Sequence, residues 1–182
     1  FFNFNPNSWD ILNLSKRIIA WNSNTDIIFD ESDNNYRDKF FLCLTKQVNF
    51  LVKNIKKIPN NSTRLIADSA IILSGLIFKE YYPNVKLGLR DLKKLILVYF
   101  DISGFPKSRN PEEVVVSIKY FILIREWLKE ANEPIPEFIN EIIIKCGNVY
   151  NFLSNSKRTI PLFNGSSEVD FDNFDKYLKV LN

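Results

Sequence analysis

Long stretches with apolar residues at helical spacing, each closed by a short break rich in Pro and Asn, leave this chain few folds to choose from. The first is expected to run from a Ser8 cap through Trp9, Leu12, Ile18 and Trp21. A polar connector from Asn22 to Asp33 follows, with the short apolar insert Ile27-Ile28-Phe29. The second helix, about Asn35 to Lys57, carries Phe40, Phe41, Leu44, Val48, Leu51 and Ile55 on one face. Pro59-Asn60-Asn61-Ser62 ends it and opens a third through Lys79, apolar on nearly every side and therefore expected to be central. Beyond Tyr82-Pro83-Asn84 a fourth continues to about Phe100. A fifth spans Pro111 to about Glu130, and a sixth, after Asn132-Glu133-Pro134-Ile135-Pro136, ends near Leu153. The longest irregular stretch is Asn155 to Val169, containing Pro161-Leu162-Phe163-Asn164-Gly165, and a last amphipathic helix begins near Asp170. Short connections between long helices make antiparallel neighbours, so the expected fold class is all-α, built of antiparallel helical hairpins.

Composition narrows this further. Only 5 glycines argue against a turn-dense sandwich, and 182 residues suit a single all-helical domain with a sizeable core. No repeat of fixed period is present, which counts against the common helical solenoids. The net charge of +3 is too small to imply nucleic acid, though it is compatible with a local basic groove for an acidic ligand. No run is long enough for a membrane span. There is no Met, even at position 1, so a fragment or processed product is expected. There is also no His, which removes the commonest general base and metal ligand. Cys43 and Cys146 lie apart in apolar helical patterns and read as small buried thiols rather than a disulfide or metal site. No metal or cofactor is expected.

The loop Gly104-Phe105-Pro106-Lys107-Ser108-Arg109-Asn110-Pro111 gathers two cations, an amide and a hydroxyl between two long apolar helices. Pro111 suits the first turn of the following helix and Asn110 its N-cap, so the loop taken alone reads first as a helix-start signal. Arg109 has the planar fork that grips a carboxylate bidentately, or it bonds a neighbouring carboxylate or helix end. Trp9, Trp21 and Tyr82 are suited to stacking on sugars, but aromatics at this spacing are more often core.

Four segments in order resemble the heparinase II/III family of polysaccharide lyases. A Trp followed by Ser15-Lys16-Arg17-Ile18-Ile19-Ala20-Trp21 resembles that family's "RRI-x-NW" helix, and Leu73-Ser74-Gly75-Leu76-Ile77-Phe78 its "AGL-x-F" helix. The loop from Gly104 to Pro111 resembles the "GGH-x-SRNP" loop of a chiefly alphaproteobacterial branch, and Leu162-Phe163-Asn164-Gly165 its "ALFNG" turn. The resemblance implies that the helical hairpins form part of an N-terminal (α/α) toroid, followed in the parent chain by a β-sandwich partner domain. It implies a substrate, an acidic polysaccharide containing uronic acid, and a reaction, β-elimination, with part of the active site outside this chain. A periplasmic or secreted location is suggested by the family alone.

Elimination requires a neutraliser for the uronate carboxylate, a base at the α carbon and an acid on the departing oxygen. Motif for motif, Asn60 and Asn61 fall where the family's neutralising Asn-His pair would be. Arg109-Asn110-Pro111 aligns with its "RSP" loop, which puts Glu113 at the Tyr position and Val114 at the His position. The branch's own loop His corresponds to Pro106. The resemblance therefore assigns Asn60, Asn61 and Arg109 to catalysis and Arg64, Lys107, Asn110 and Asn164 to substrate binding, with Arg17 as a further cation. It leaves the acid and base without their usual residues. Two other readings stand beside the lyase: a glycan-binding member that has lost catalysis, and an all-helical module whose grooves bind peptides.

Overall fold

Eight α-helices follow one another in the computed structural model of the chain, which describes residues 7–154, 159–169 and 171–179 and, of 171–173, the backbone only. They are α1 (Ile11–Ser23), α2 (Thr25–Phe29), α3 (Asn34–Asn54), α4 (Ser62–Ile77), α5 (Pro83–Tyr99), α6 (Pro111–Glu130), α7 (Glu137–Leu153) and α8 (Phe171–Lys179). The expected all-α class holds, and most helix ends fall within a few residues of where the breaks place them. Three differences have identifiable physical causes. α1 starts at Ile11 because Asp10, not Ser8, caps it, accepting from Asn13 N at 3.0 Å. The insert within the first connector is a helix, since Ile28 and Phe29 pack onto the core beside it. α4 stops at Ile77 because Phe78 is extended and residues 79–81 form a 3₁₀ turn. Asn155 and Asp170, expected to begin the last irregular stretch and the last helix, lie outside the described residues.

The chain divides into two compact units. The first comprises residues 1–59 and 63–91, the second residues 60–62 and 92–182. In the first, α1 packs on α3, and Leu14, Ile18, Leu44, Val48, Leu51 and Ile71 form its apolar core. Removing such a side chain from water contributes about 1.5–3 kcal/mol, so this set outweighs any single polar contact nearby. Trp9 and Trp21 belong to the same packing, with ring centroids 4.9 Å from Phe50 and 5.3 Å from Phe40. Their core reading therefore prevails over sugar stacking; Tyr82 remains exposed. α4 is buried without interruption from Leu65 to Gly75, as its all-round apolar pattern requires. Gly75 is where α4 meets the start of α5: a Cβ there would lie 2.8 Å from Val85 N.

In the second unit α6 and α7 form an antiparallel hairpin across residues 131–136, and α8 packs on α6. Phe121, Ile118, Ile122, Ile124, Leu128 and Ile139 are almost completely buried. Both thiols are free; Cys146 is buried and Cys43 half-buried. Burial pushes the Cys146 thiol up to about 12, with the Asp101 charge adding to the rise, so it stays protonated at neutral pH. No helix among the described residues is long and apolar enough to cross a membrane.

Candidate functional site

The loop between α5 and α6 is held by its own backbone. Asp101 N donates to Phe105 O and Lys107 N to Tyr99 O, both at 2.9 Å, which pairs Phe100 with Pro106 in a short antiparallel bridge. Gly104 turns this bridge with φ +89 and lies against the α7 backbone at Lys145 and Cys146. The Cys146 thiol donates to Gly104 O at 3.2 Å, tying the loop to α7. Inside the turn Asp101 accepts from Ser103 N, Ser103 Oγ and Phe105 N. Burial pushes the Asp101 carboxyl up, but these bonds and the Arg109 guanidinium outweigh it and hold it down at about 2.

Arg109 is therefore placed by a carboxylate that stays charged. Its Nη1 lies 2.6 Å from Asp101 Oδ2, and its guanidinium stacks 5.0 Å from the Phe105 ring centroid. The side chain is still 50% exposed. Its backbone is left-handed, φ 57, a conformation that costs a non-glycine residue on the order of 1 kcal/mol. Asn164 helps hold it there: its Nδ2 donates to Ser108 O at 3.3 Å and to Arg109 O at 3.1 Å. The turn carrying Asn164 is anchored next to α6, where Ser167 N and Oγ donate to Glu112 at 2.9 and 2.7 Å. Two segments more than fifty residues apart, each picked out by its motif, thus meet at Arg109.

Asn110 caps α6, with Oδ1 accepting from Glu112 N at 2.8 Å and Glu113 N at 3.4 Å. The helix-start reading is correct for this residue. Its Nδ2 has no partner among the described residues and keeps two donors. Lys107 is exposed and its ammonium is likewise unpaired among them. Glu113 accepts from Ser108 Oγ, and Val114, at the position the resemblance gives to His, is fully buried. The three carboxylates here all have partners in the chain: Asp101 has Arg109, Glu112 has Ser167 and Glu113 has Ser108.

Asn60, Asn61 and Ser62 belong to this second unit. Asn60 is exposed and Asn61 half-buried just before α4. Of these three it is Ser62 that reaches the loop's neighbourhood, through Tyr99, a residue the motifs did not mark. Tyr99 is 5% exposed, and its hydroxyl sits beside both the Glu113 carboxylate and the Ser62 hydroxyl, without a hydrogen bond of ordinary geometry to either. Burial and the adjacent Glu113 charge raise this phenol well above its usual range, so it is protonated throughout neutral pH. Asp101 was also missed; an Asp two residues before a Ser at a helix exit is the signal of an Asx turn.

Arg64 lies in the first unit. Its side chain is only 11% exposed and bonds both oxygens of Asp68 at 3.2 Å, Ile55 O at 2.8 Å and Asp91 at 3.4 Å. A structural role accounts for this geometry. Arg17 is similarly engaged, with Gln47 at 2.7 Å and Ser8 O at 2.9 Å. Burial pushes Asp68 up to about 7 against the lowering pull of Arg64, and Asp91 adds to the rise. The folded state therefore keeps this proton to higher pH than the unfolded chain does. The cost of ionising Asp68 grows as pH rises from about 4 toward 7, and stability falls over that window. Asp68→Asn is expected to flatten this slope in urea midpoints measured from acid to neutral pH; an unaltered slope would assign it to another group.

Among the described residues no group of three or more His, Cys, Asp or Glu is placed to hold a metal ion. Neither a family model nor a curated protein matches the sequence. A solved structure of heparinase III (BT4657 gene product, methylated lysines) matches 97% of this chain with a TM-score of 0.76 and 18% identity. The chain has a heparinase III-like fold. It is an all-helical part of such a toroid, and it spans 29% of the length of that solved chain. The likeness at this identity concerns the fold, so the chemistry rests on the residues just described.

Proposed function

We propose that this heparinase III-like chain is the toroid segment of a polysaccharide-lyase-like protein, a single helical domain followed in the parent by a β-sandwich, that binds acidic glycan at the α5–α6 loop. The observation that carries this reading is the meeting of Asn164 with Arg109, which joins two of the four resembling segments within a lyase-like fold. Arg109 offers its exposed half to a uronate carboxylate, with Lys107 and Asn110 Nδ2 as additional donors and Asn164 keeping the loop in place. Asn60 and Asn61 supply amides that neutralise the carboxylate during proton abstraction. Arg64 remains with its aspartates.

The experiment is absorbance near the ultraviolet edge, where unsaturated uronates absorb, using full-length parent and a panel of uronic-acid polysaccharides. A rise with one polymer supports β-elimination. No rise with any polymer, together with retained binding, supports the second reading, a glycan-binding protein without catalysis. That reading has its own support: the chain has no His, Glu113 and Val114 replace the family's proton carriers, and two cations at the loop stand among three carboxylates.

A further inference from the structure

A different surface, in the first unit, has no place in the glycan reading. A groove of about 760 Å³ opens there beside α2 and the end of α4. Its floor is a row of three rings, Phe29, Phe41 and Phe78, with centroids 5.2 Å and 5.7 Å apart in sequence along the row. Phe41 is 36% exposed and the neighbouring Ile77 41%, so the apolar floor is accessible from solvent. Asp26, Asp30 and Glu80 stand along its rim. No hydrogen bond or ion pair engages these three carboxylates among the described residues, and no Lys or Arg lines the groove. Arg37, whose guanidinium lies 5.7 Å from the Phe29 ring, gives its hydrogen bonds to Ser32 Oγ and Phe29 O and leaves the rim uncompensated.

We infer that this groove docks a basic, amphipathic polypeptide segment of a protein partner. Charge complementarity selects the occupant: a groove whose three carboxylates have no partner among the described residues, in a chain of net charge +3, repels acidic glycan and attracts cations. The carboxylates do not converge as metal ligands do, so the charges they meet must be spread along the ligand. Apolar side chains of the segment cover the phenyl rings, while Lys or Arg heads reach the rim and the ring faces. The volume accommodates several side chains, more than one isolated amine requires.

The test uses the full chain and fluorescence anisotropy with a labelled Lys–Leu repeat peptide, its Glu–Leu counterpart and a Lys–Ser repeat. The Lys–Leu peptide is expected to bind saturably, and the combined Asp26→Asn, Asp30→Asn and Glu80→Gln variant to weaken it by about tenfold or more. These rim positions are exposed, and the exposed Phe41→Ala provides a second variant that tests the floor without touching the charges. Weak binding of the Glu–Leu and Lys–Ser peptides supports the inference. No binding of Lys–Leu, undiminished binding by the rim variant, or equal binding of any control peptide overturns it. Spermine binding as tightly as the peptide also overturns it, making the groove a small-cation site.

Discussion

An alanine at Gly104 is expected to cost the native state about 3 kcal/mol or more, the sum of a left-handed backbone and a backbone collision. The residue has φ +89, and a Cβ there would lie 2.6 Å from Lys145 Cβ, 2.8 Å from the Lys145 carbonyl carbon and 2.9 Å from Cys146 N. A flexible side chain could move aside, but two of these atoms are α7 backbone and can give way only if the loop lifts off the helix. Lifting would also break the Cys146 bond to Gly104 O, which anchors the segment that carries Arg109. Gly147, on the same helix, is the natural control. Nothing lies within 4 Å of a Cβ built there, so Gly147→Ala should stabilise α7 by about 0.5–1 kcal/mol. Urea denaturation of both variants gives the comparison directly. Equal midpoints for the two would mean that the loop is not seated on α7.

Arg109→Ala is expected to reduce affinity for a uronate polysaccharide by about ten- to a hundredfold, the weight of a charge-assisted contact to a carboxylate. Lys86→Ala, which removes an exposed cation elsewhere, should change it little. The loop should survive the substitution, because Asp101 still caps its own turn through Ser103 and Phe105. Asp101, with its carboxyl held at about 2, contributes stability above about pH 4 and loses it as pH falls through 2. Arg109 therefore keeps its orientation over the whole range in which glycan binding would be assayed. Calorimetric titration of both variants with one polysaccharide decides the matter. Equal losses would mean that only general charge is sensed and would remove the special role given to the loop.

The helices were legible because their causes are local. Pro111 begins α6 and Asn110 caps it, and both facts can be read from two adjacent letters. The uninterrupted apolar surface of α4 announced a helix buried from Leu65 to Gly75. The limits of this reading are equally specific. Ser8 and Asp10 are both good caps, and the choice between them depends on which one meets a free amide, here Asn13 N on the Asp10 carboxylate. In the insert that is α2, Ile28 and Phe29 pack onto a core assembled from distant residues, a contact the local letters do not show.

For the site, residue type was readable and partnership was not. The motifs marked Arg109, Asn110 and Asn164, and Asn110 acts as the cap its position implies. They also marked Arg64, whose guanidinium is held by Asp68 and Asp91, the latter twenty-seven residues away. They passed over Asp101 and Tyr99, whose neighbours arrive from separate segments. Helix periodicity, caps and breaks depend on interactions a few residues apart, so the order of letters dictated the all-helical class and most of its boundaries. Which cation is free, which carboxylate is paired and where a Phe-floored acidic groove opens depend on contacts across tens of residues. Those contacts exist only after the apolar faces have packed, and it is packing that set Arg109 beside Asn164 and sealed Arg64 among its aspartates.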